Sequence, residues 1–306
     1  MVTNDVTNTP VPNNGATNDN TPTLSGTAEA NAIVTVYDGT TVLGSTTASG
    51  TGAWSFVSPT LSNGTHPLSV TVKDAAGNVS PASTTVSVIV DTVAPNASTL
   101  VITNDVTNTT VPSGGSTNDS TPTLSGTAEG GSLVRIYDGS TLLGSVTAAG
   151  NGAWSFTTAV LSQGSHAISV TSTDAAGNIS GSTNATVVID TVVPTLTLAA
   201  ANNNGSTPVA IGAGTSTNDN TPALSGTTEA GSIVRIFDGG NLIGSVTASS
   251  TGAWSWTSST LADGSHTITA TATDAAGNVS NTPSVTFTVD TGVPATVTNL
   301  VVTNDI

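Results

Sequence analysis

The chain has no cysteine, which removes disulfides, thiolate metal centres and cysteine nucleophiles together. Charge is almost as scarce: 7% of its 306 residues are Asp, Glu, Lys or Arg, and Lys73, Arg135 and Arg235 are the whole basic complement. No basic patch can be built from three dispersed cations, so nucleic acid is excluded as a partner. Aromatics make up 3%. No apolar run approaches the roughly 18 residues that a membrane span needs. No long stretch is rich enough in Leu, Glu, Lys or Arg to predict a helix.

What remains is Thr, Ser and Asn in excess, with 32 Gly, 14 Pro and 19 acids, for a formal net charge of −16. The length is that of two or three domain cores. Lack of cysteine does not make the chain cytosolic, because an extracellular protein can be stapled by other means. Met1-Val2-Thr3-Asn4 shows neither the charged nor the apolar region of a signal peptide. The expectation is export by a route that needs none, or a segment cut from a longer protein.

Internal repetition decides the organisation. Trp54, Trp154 and Trp254 are spaced by 100 residues, as are Asp74, Asp174 and Asp274, each opening Asp-Ala-Ala-Gly-Asn. Asp19, Asp119 and Asp219 follow the same spacing. Asp91-Thr92-Val93-Ala94-Pro95 recurs from Asp190 and from Asp290, the first interval being 99. The second copy is one residue shorter after Asn178, and the following linker is expected to restore the register. The predicted domains are 1–92, 93–191 and 192–291, with 292–306 opening a fourth copy, since Thr303-Asn304-Asp305-Ile306 repeats Thr3-Asn4-Asp5-Val6.

Within a copy the hydrophobic period is 2. Leu68, Val70 and Val72 share one face, as do Val86, Val88 and Val90, and Val34 with Val36. Asp38-Gly39, Gly50-Thr51-Gly52, Asn63-Gly64 and Gly77-Asn78 punctuate the runs. About seven short strands per copy predict an all-β immunoglobulin-like Greek-key sandwich. In the second copy strands are expected near residues 99–103, 121–128, 133–137, 142–147, 153–157, 167–173 and 186–189, with Trp154 on the fifth. That Trp series, followed by Phe56, Phe156 and Trp256, reads as core. His66, His166 and His266 read as structural hydrogen-bonding residues, because no second His or Cys stands near any of them.

The runs Thr21-Pro22-Thr23-Leu24-Ser25-Gly26-Thr27, Gly52-Ala53-Trp54-Ser55-Phe56, Gly64-Thr65-His66, Asp74-Ala75-Ala76-Gly77-Asn78 and Asp91-Thr92-Val93-Ala94-Pro95 resemble a known family. It is the bacterial immunoglobulin-like tandem repeats of giant surface adhesins, of the biofilm-associated (Bap-like, RTX-type), type I-secreted kind. The resemblance covers all three copies. It implies a calcium-rigidified extender at the bacterial cell surface that carries an adhesive tip elsewhere. Antibody hallmarks are missing, since there is no cysteine pair.

Six repeat phases hold 18 of the 19 acids, and only Asp263 falls outside them. On the sandwich, Glu129 ends the second strand, Asp174 ends the sixth, and Asp91 closes the preceding copy. These three are expected to converge at the first joint, and Asp190, Glu229 and Asp274 at the second. Glu29 and Asp74, and Asp290, are the same phases in the outer copies. Three carboxylates in a small volume repel unless a cation lies among them, and hard oxygen donors in loops suit Ca²⁺. Asn178 and Asn278 are expected to add side-chain oxygens. Turn closure, in which Asp accepts backbone N–H bonds, is the competing account. A second cation set at the opposite end, with Asp105 and Asp119, is expected to be weaker, and Asp138-Gly139 reads as a hairpin turn. The third copy has Asn202-Asn203-Asn204 where Thr103-Asn104-Asp105 would be.

No Gly-x-Ser-x-Gly elbow, phosphate loop or His-Glu-x-x-His occurs, so no enzyme is predicted. The expected partners are neighbouring repeats and Ca²⁺, in a monomer that does not enter membranes. Two rivals stand beside the extender. One is a module binding a glycan or host protein; the other is an accessory array of a secreted polysaccharide-degrading enzyme. Near-uniform copies favour the extender.

Overall fold

The computed structural model describes residues 1–298 and 301–302, and they are all-β, with no helix long and apolar enough to cross a membrane. The expected opening of a fourth copy at Thr303–Ile306, with Asp305, lies outside the described residues. The first repeat has nine strands: β1 (Val2–Asn4), β2 (Thr9–Val11), β3 (Gly15–Thr17), β4 (Thr23–Thr27), β5 (Ile33–Asp38), β6 (Thr41–Thr47), β7 (Ala53–Val57), β8 (Gly64–Lys73) and β9 (Val86–Val90). They form one sheet in the order β2-β1-β4-β7 and a second in the order β3-β9-β8-β5-β6. The second and third repeats reproduce both sheets.

Seven of these strands are those the alternation predicts. The two additional ones, β2 and β3, have three residues each, too few to carry a period. Pro10 fits β2 because that strand pairs only with β1, at the sheet edge, where its missing N–H breaks no ladder. β3 crosses to the other sheet and pairs parallel to β9, from Gly15↔Val88 to Thr17↔Val90. Trp54 consequently stands on the seventh strand and not the fifth.

The core forms where the two inner faces meet. Val34, Val36 and Val88 are fully buried, with Leu24, Leu68 and Val90 nearly so. Each such side chain contributes roughly 1.5–3 kcal/mol by leaving water. Trp154 and Trp254 are 4% exposed, as core residues. Their glycine neighbours are explained by contact. Gly126 pairs across from Trp154, and the end of the linker passes over it: a Cβ there would lie 2.0 Å from the Thr99 carbonyl oxygen. Gly226 meets Thr197 in the same way, also at 2.0 Å. Thr99 N–H in turn donates to Thr127 O, and Pro95 and Pro194 are buried. The linkers are therefore packed strand-like segments.

The register is restored at a different place from the one expected. Ile102 pairs with Leu124 and Val111, whereas Ala200 pairs with Leu224 and Ile211. Ala200 is thus the counterpart of Ile102, 98 positions on, while the strands they pair with are 100 apart. The second linker loses one more residue. The hairpin between the first two strands of repeat three then regains two, spanning Asn202 to Val209 against Asn104 to Thr109. Asn202, not Asn203, occupies the place of Asn104.

By packing, the chain divides into two compact units. The first comprises Met1–Gly114, Thr121–Val160 and Ser165–Val187; the second comprises Gly115–Ser120, Leu161–Gly164 and Val188–Ile306. The residues meeting at the first joint lie within the first unit. Those meeting at the second joint lie within the second.

Gly126→Ala drives a methyl group into the linker backbone and is expected to cost about 1–3 kcal/mol in a denaturant melt. Gly50→Ala, with nothing within 4 Å of the new Cβ, is expected to stay within about 0.5 kcal/mol of wild type. Equal costs for the two would refute the packed-linker account.

Candidate functional site

The Asp-Ala-Ala-Gly-Asn loop is a carboxylate-closed turn. Asp174 Oδ1 accepts the N–H groups of Ala176 at 2.9 Å, Gly177 at 2.8 Å and Asn178 at 2.9 Å. Asp174 Oδ2 accepts Asn178 Nδ2 at 2.8 Å. Asp274 repeats all four bonds with Ala276, Gly277 and Asn278. In the first repeat the Asn78 side chain, then its backbone N–H, bonds to Asp74 and holds that carboxyl below the usual range. Gly177, at φ 97°, supplies the left-handed step that this turn requires. The turn-closing account thus describes these aspartates correctly in every copy.

The same turn makes the joint. Asn178 Nδ2 also donates to Asp91 O at 2.8 Å, and Asn18 N–H donates to Ala176 O at 3.1 Å. At the second joint Asn278 Nδ2 donates to Asp190 O at 2.8 Å and Asn118 N–H to Ala276 O at 3.1 Å. Asn178 and Asn278, expected as oxygen donors to a cation, act through their amide N–H groups. β3 prepares the receiving surface: Asp91 N–H bonds to Thr17 O at 2.9 Å, which sets Asn18 beside the end of β9. Each such hydrogen bond is worth about 0.5–1.5 kcal/mol net.

The carboxylates meet over this seam. Asp190, Glu229 and Asp274 each offer an oxygen within 4.8 Å of the others, the three being half-buried, exposed and buried in that order. Burial, then the charges of Asp274 and Asp190, push the Glu229 carboxyl above its ordinary range. Asp190 Oδ1 accepts Val192 N–H at 3.0 Å, and both Asp274 oxygens also accept bonds within their turn. Among the described residues only this triad is drawn to that distance; Asp91, Glu129 and Asp174 are not. The tether differs in the same sense. Eight steps separate Asp91 from Thr99, but seven separate Asp190 from Thr197. Glu29 and Asp74 stand at the matching end of repeat one, and Asp290, whose Oδ1 accepts Gly292 N–H, closes repeat three.

The opposite-end acids are not a separate place, because the lower end of one repeat is what the next repeat's loop docks on. Asp19 is buried beside Asn18; its Oδ2 accepts Asp5 N–H at 2.7 Å and its Oδ1 accepts Thr21 N–H at 2.9 Å. Asp219 does the same with Asn203 and Thr221, so loss of the Asp105 side chain in repeat three leaves this backbone bond intact. Asp119 is buried next to Asn118, and Asp105 Oδ2 accepts Thr123 Oγ1 at 2.7 Å. Asp38, Asp138 and Asp238 have a role beyond the hairpin turn. Each bonds a histidine Nδ1, on His66, His166 and His266, at 2.6–2.7 Å. Their shared phase with the histidines was the available signal.

Asn278→Ala removes the turn staple and the seam bond, whereas Asn78→Ala removes the staple alone. The first should cost about 0.5–1.5 kcal/mol more and speed proteolysis at the exposed Val192 and Val193. Equal melts and equal cleavage would show that the seam bond carries nothing.

No curated protein matches the chain at a significant level. Among solved structures, the Clostridium thermocellum CbhA fibronectin(III)-like modules align at 19% identity and TM-score 0.40, covering 62% of this chain and 94% of theirs. A 1.5-MDa bacterial ice-binding adhesin, studied for its retention at the host cell surface, aligns at 23% identity and TM-score 0.33, covering 88% and 91%. A biofilm associated protein, in its BSP domain, aligns at 12% identity and TM-score 0.24, covering 92% and 66%. These likenesses carry no argument about activity. The family described as bacterial Ig-like domain matches residues 3–92, 96–191 and 193–291 in turn, and the chain belongs to it.

Proposed function

We propose that the chain is an extender segment of a large bacterial surface adhesin, in which Ca²⁺ at the repeat joints sets stiffness. The convergence of Asp190, Glu229 and Asp274 beside a linker is the observation that carries this reading. Asp190, Glu229 and Asp274, with one oxygen each, would hold the ion, and water would complete the 6–8 oxygens it takes. The bound ion supplies charge neutralisation; it turns a repulsive seam into an attractive one. The protein supplies the position, through the Asp274 turn and the Asn278–Asp190 bond.

The magnitudes assign the ion a biasing role. At roughly millimolar calcium, and with the Kd of roughly 10⁻⁴–10⁻³ M typical of extracellular modules, binding contributes about 0.4–1.4 kcal/mol per joint. The two seam hydrogen bonds contribute a comparable amount. The joint is therefore formed by hydrogen bonds and stiffened by the cation. Repeats so nearly uniform suit a spacer, while adhesive recognition belongs to another region of the parent protein. Secretion to the cell surface by a type I route, with folding in calcium-rich surroundings, completes the proposal.

Small-angle scattering of the chain with calcium and with chelator tests it, the expected result being a shorter, broader distance distribution without the ion. Glu229→Gln should weaken calcium binding at the second joint by calorimetry and leave the melt in chelator unchanged or slightly higher, because a raised carboxyl pKa marks a charge the fold disfavours. Superimposable scattering profiles, together with unchanged calcium binding in the variant, would sink the reading.

A further inference from the structure

Each repeat holds a histidine Nδ1 against an aspartate, and in repeats one and three the second ring nitrogen is held as well. In repeat one, His66 Nδ1 meets Asp38 Oδ2 at 2.6 Å and Nε2 meets Ser62 O at 2.7 Å. In repeat three, His266 Nδ1 meets Asp238 Oδ2 at 2.7 Å and Nε2 meets Ala262 O at 2.8 Å. A carboxylate oxygen and a carbonyl oxygen only accept. A neutral imidazole has a single N–H, so one of its two contacts would set lone pair against lone pair. Only the imidazolium, with a proton on each nitrogen, satisfies both.

The loop that carries the carbonyl also holds the start of the linker. Asn63 Oδ1 accepts Thr92 N–H at 3.1 Å and Thr92 Oγ1 at 3.0 Å, and Thr92 follows Asp91. In repeat three Asp263 Oδ1 accepts the same two groups of Thr291, at 3.1 and 2.8 Å. Gln163 bonds Thr191 at the same place in repeat two. Asn, Gln and Asp thus perform one task at one position, three residues before the histidine.

We infer that the histidine is a proton-dependent latch that fixes this loop, and through it the residue that follows the last strand, so that repeats one and three grip Thr92 and Thr291 more firmly while the ring is protonated than once it is neutral. Loss of the proton leaves the stronger bond to the carboxylate and turns Nε2 against the loop carbonyl, which loosens residues 61–66 and their hold on Thr92. The groups facing the ring are few. Val88 lies opposite His66 on β9, and Phe287 lies opposite His266 with ring centroids 6.2 Å apart; neither ionises. Asp38 and Asp238 are the bonded acids, Asp263 lies on the loop, and Asp91 and Asp290 adjoin the held threonines. All are negative and favour the proton.

The direction of the shift agrees. Burial opposes charge on His66, but the Asp38 hydrogen bond, the Ser62 carbonyl and the Asp38 charge outweigh it and raise the pKa above the ordinary imidazole value. His266 is raised likewise, burial being outweighed by the Ala262 carbonyl and Asp238. A histidine pKa higher in the fold than in the unfolded chain stabilises fully below the unfolded value. That contribution is lost as pH rises through the folded value.

Proton NMR of the 306-residue chain in chelator, which removes any dependence on calcium, tests the latch directly. The ring protons of His66 and His266 should titrate above the ordinary value of about 6.5. The Thr92 and Thr291 amides should shift with the same midpoints, and Tm should fall by about 5 °C between about pH 6 and pH 9. Asp38→Asn should lower the His66 midpoint and leave that of His266 in place. Midpoints at or below the ordinary value, threonine amides that ignore the titration, or a flat Tm would each overturn the inference, and the wild-type titration decides even if the variant fails to fold.

Discussion

The joints depend on one aspartate oxygen. Asp174 Oδ1 gathers three consecutive backbone N–H groups, which leaves a five-residue turn only one shape. That shape aims the Ala176 carbonyl and the Asn178 amide at the preceding repeat. An open turn would have to be ordered at the moment of docking, at about 1–2 kcal/mol per residue. The bonds it makes are of similar size. A turn ordered in advance by its own aspartate is what makes so small a seam useful.

Charge is then placed where the geometry is already set. The second joint has three carboxylates within reach of one another, and burial, then the charges of Asp274 and Asp190, raise the Glu229 carboxyl. The seam therefore has two layers, neutral hydrogen bonds beneath and like charges above. A cation bound there, as proposed, would act on the upper layer without having to build the lower one. The histidine latch adds a third influence from within the first and third sandwiches, acting through Thr92 and Thr291.

Much of this was legible in the residue order. Period-2 runs located seven of nine strands because one face of each is buried, as at Val34, Val36, Leu68 and Val88. β2 and β3 escaped because three residues hold no period, and β3 is placed by pairing with β9, a partner some seventy positions away. The seam bond of Asn178 escaped for a related reason. An amide carries both an acceptor and a donor, and which one faces the seam depends on the Asp91 carbonyl that the fold puts there.

The sequence by itself determined the repeating unit, the inward alternation, the turns and the phase of the acids, because each of these depends on residues near one another in the chain. Only the tertiary structure decided that Asn178 bridges the joint through its amide N–H, that Asp38 serves His66, and that the lost register is regained in a hairpin at Asn202–Val209 and not in a linker. Those outcomes depend on distant groups whose hydrogen-bonding capacity has to be satisfied once they are buried together, and spacing alone does not bring them into contact.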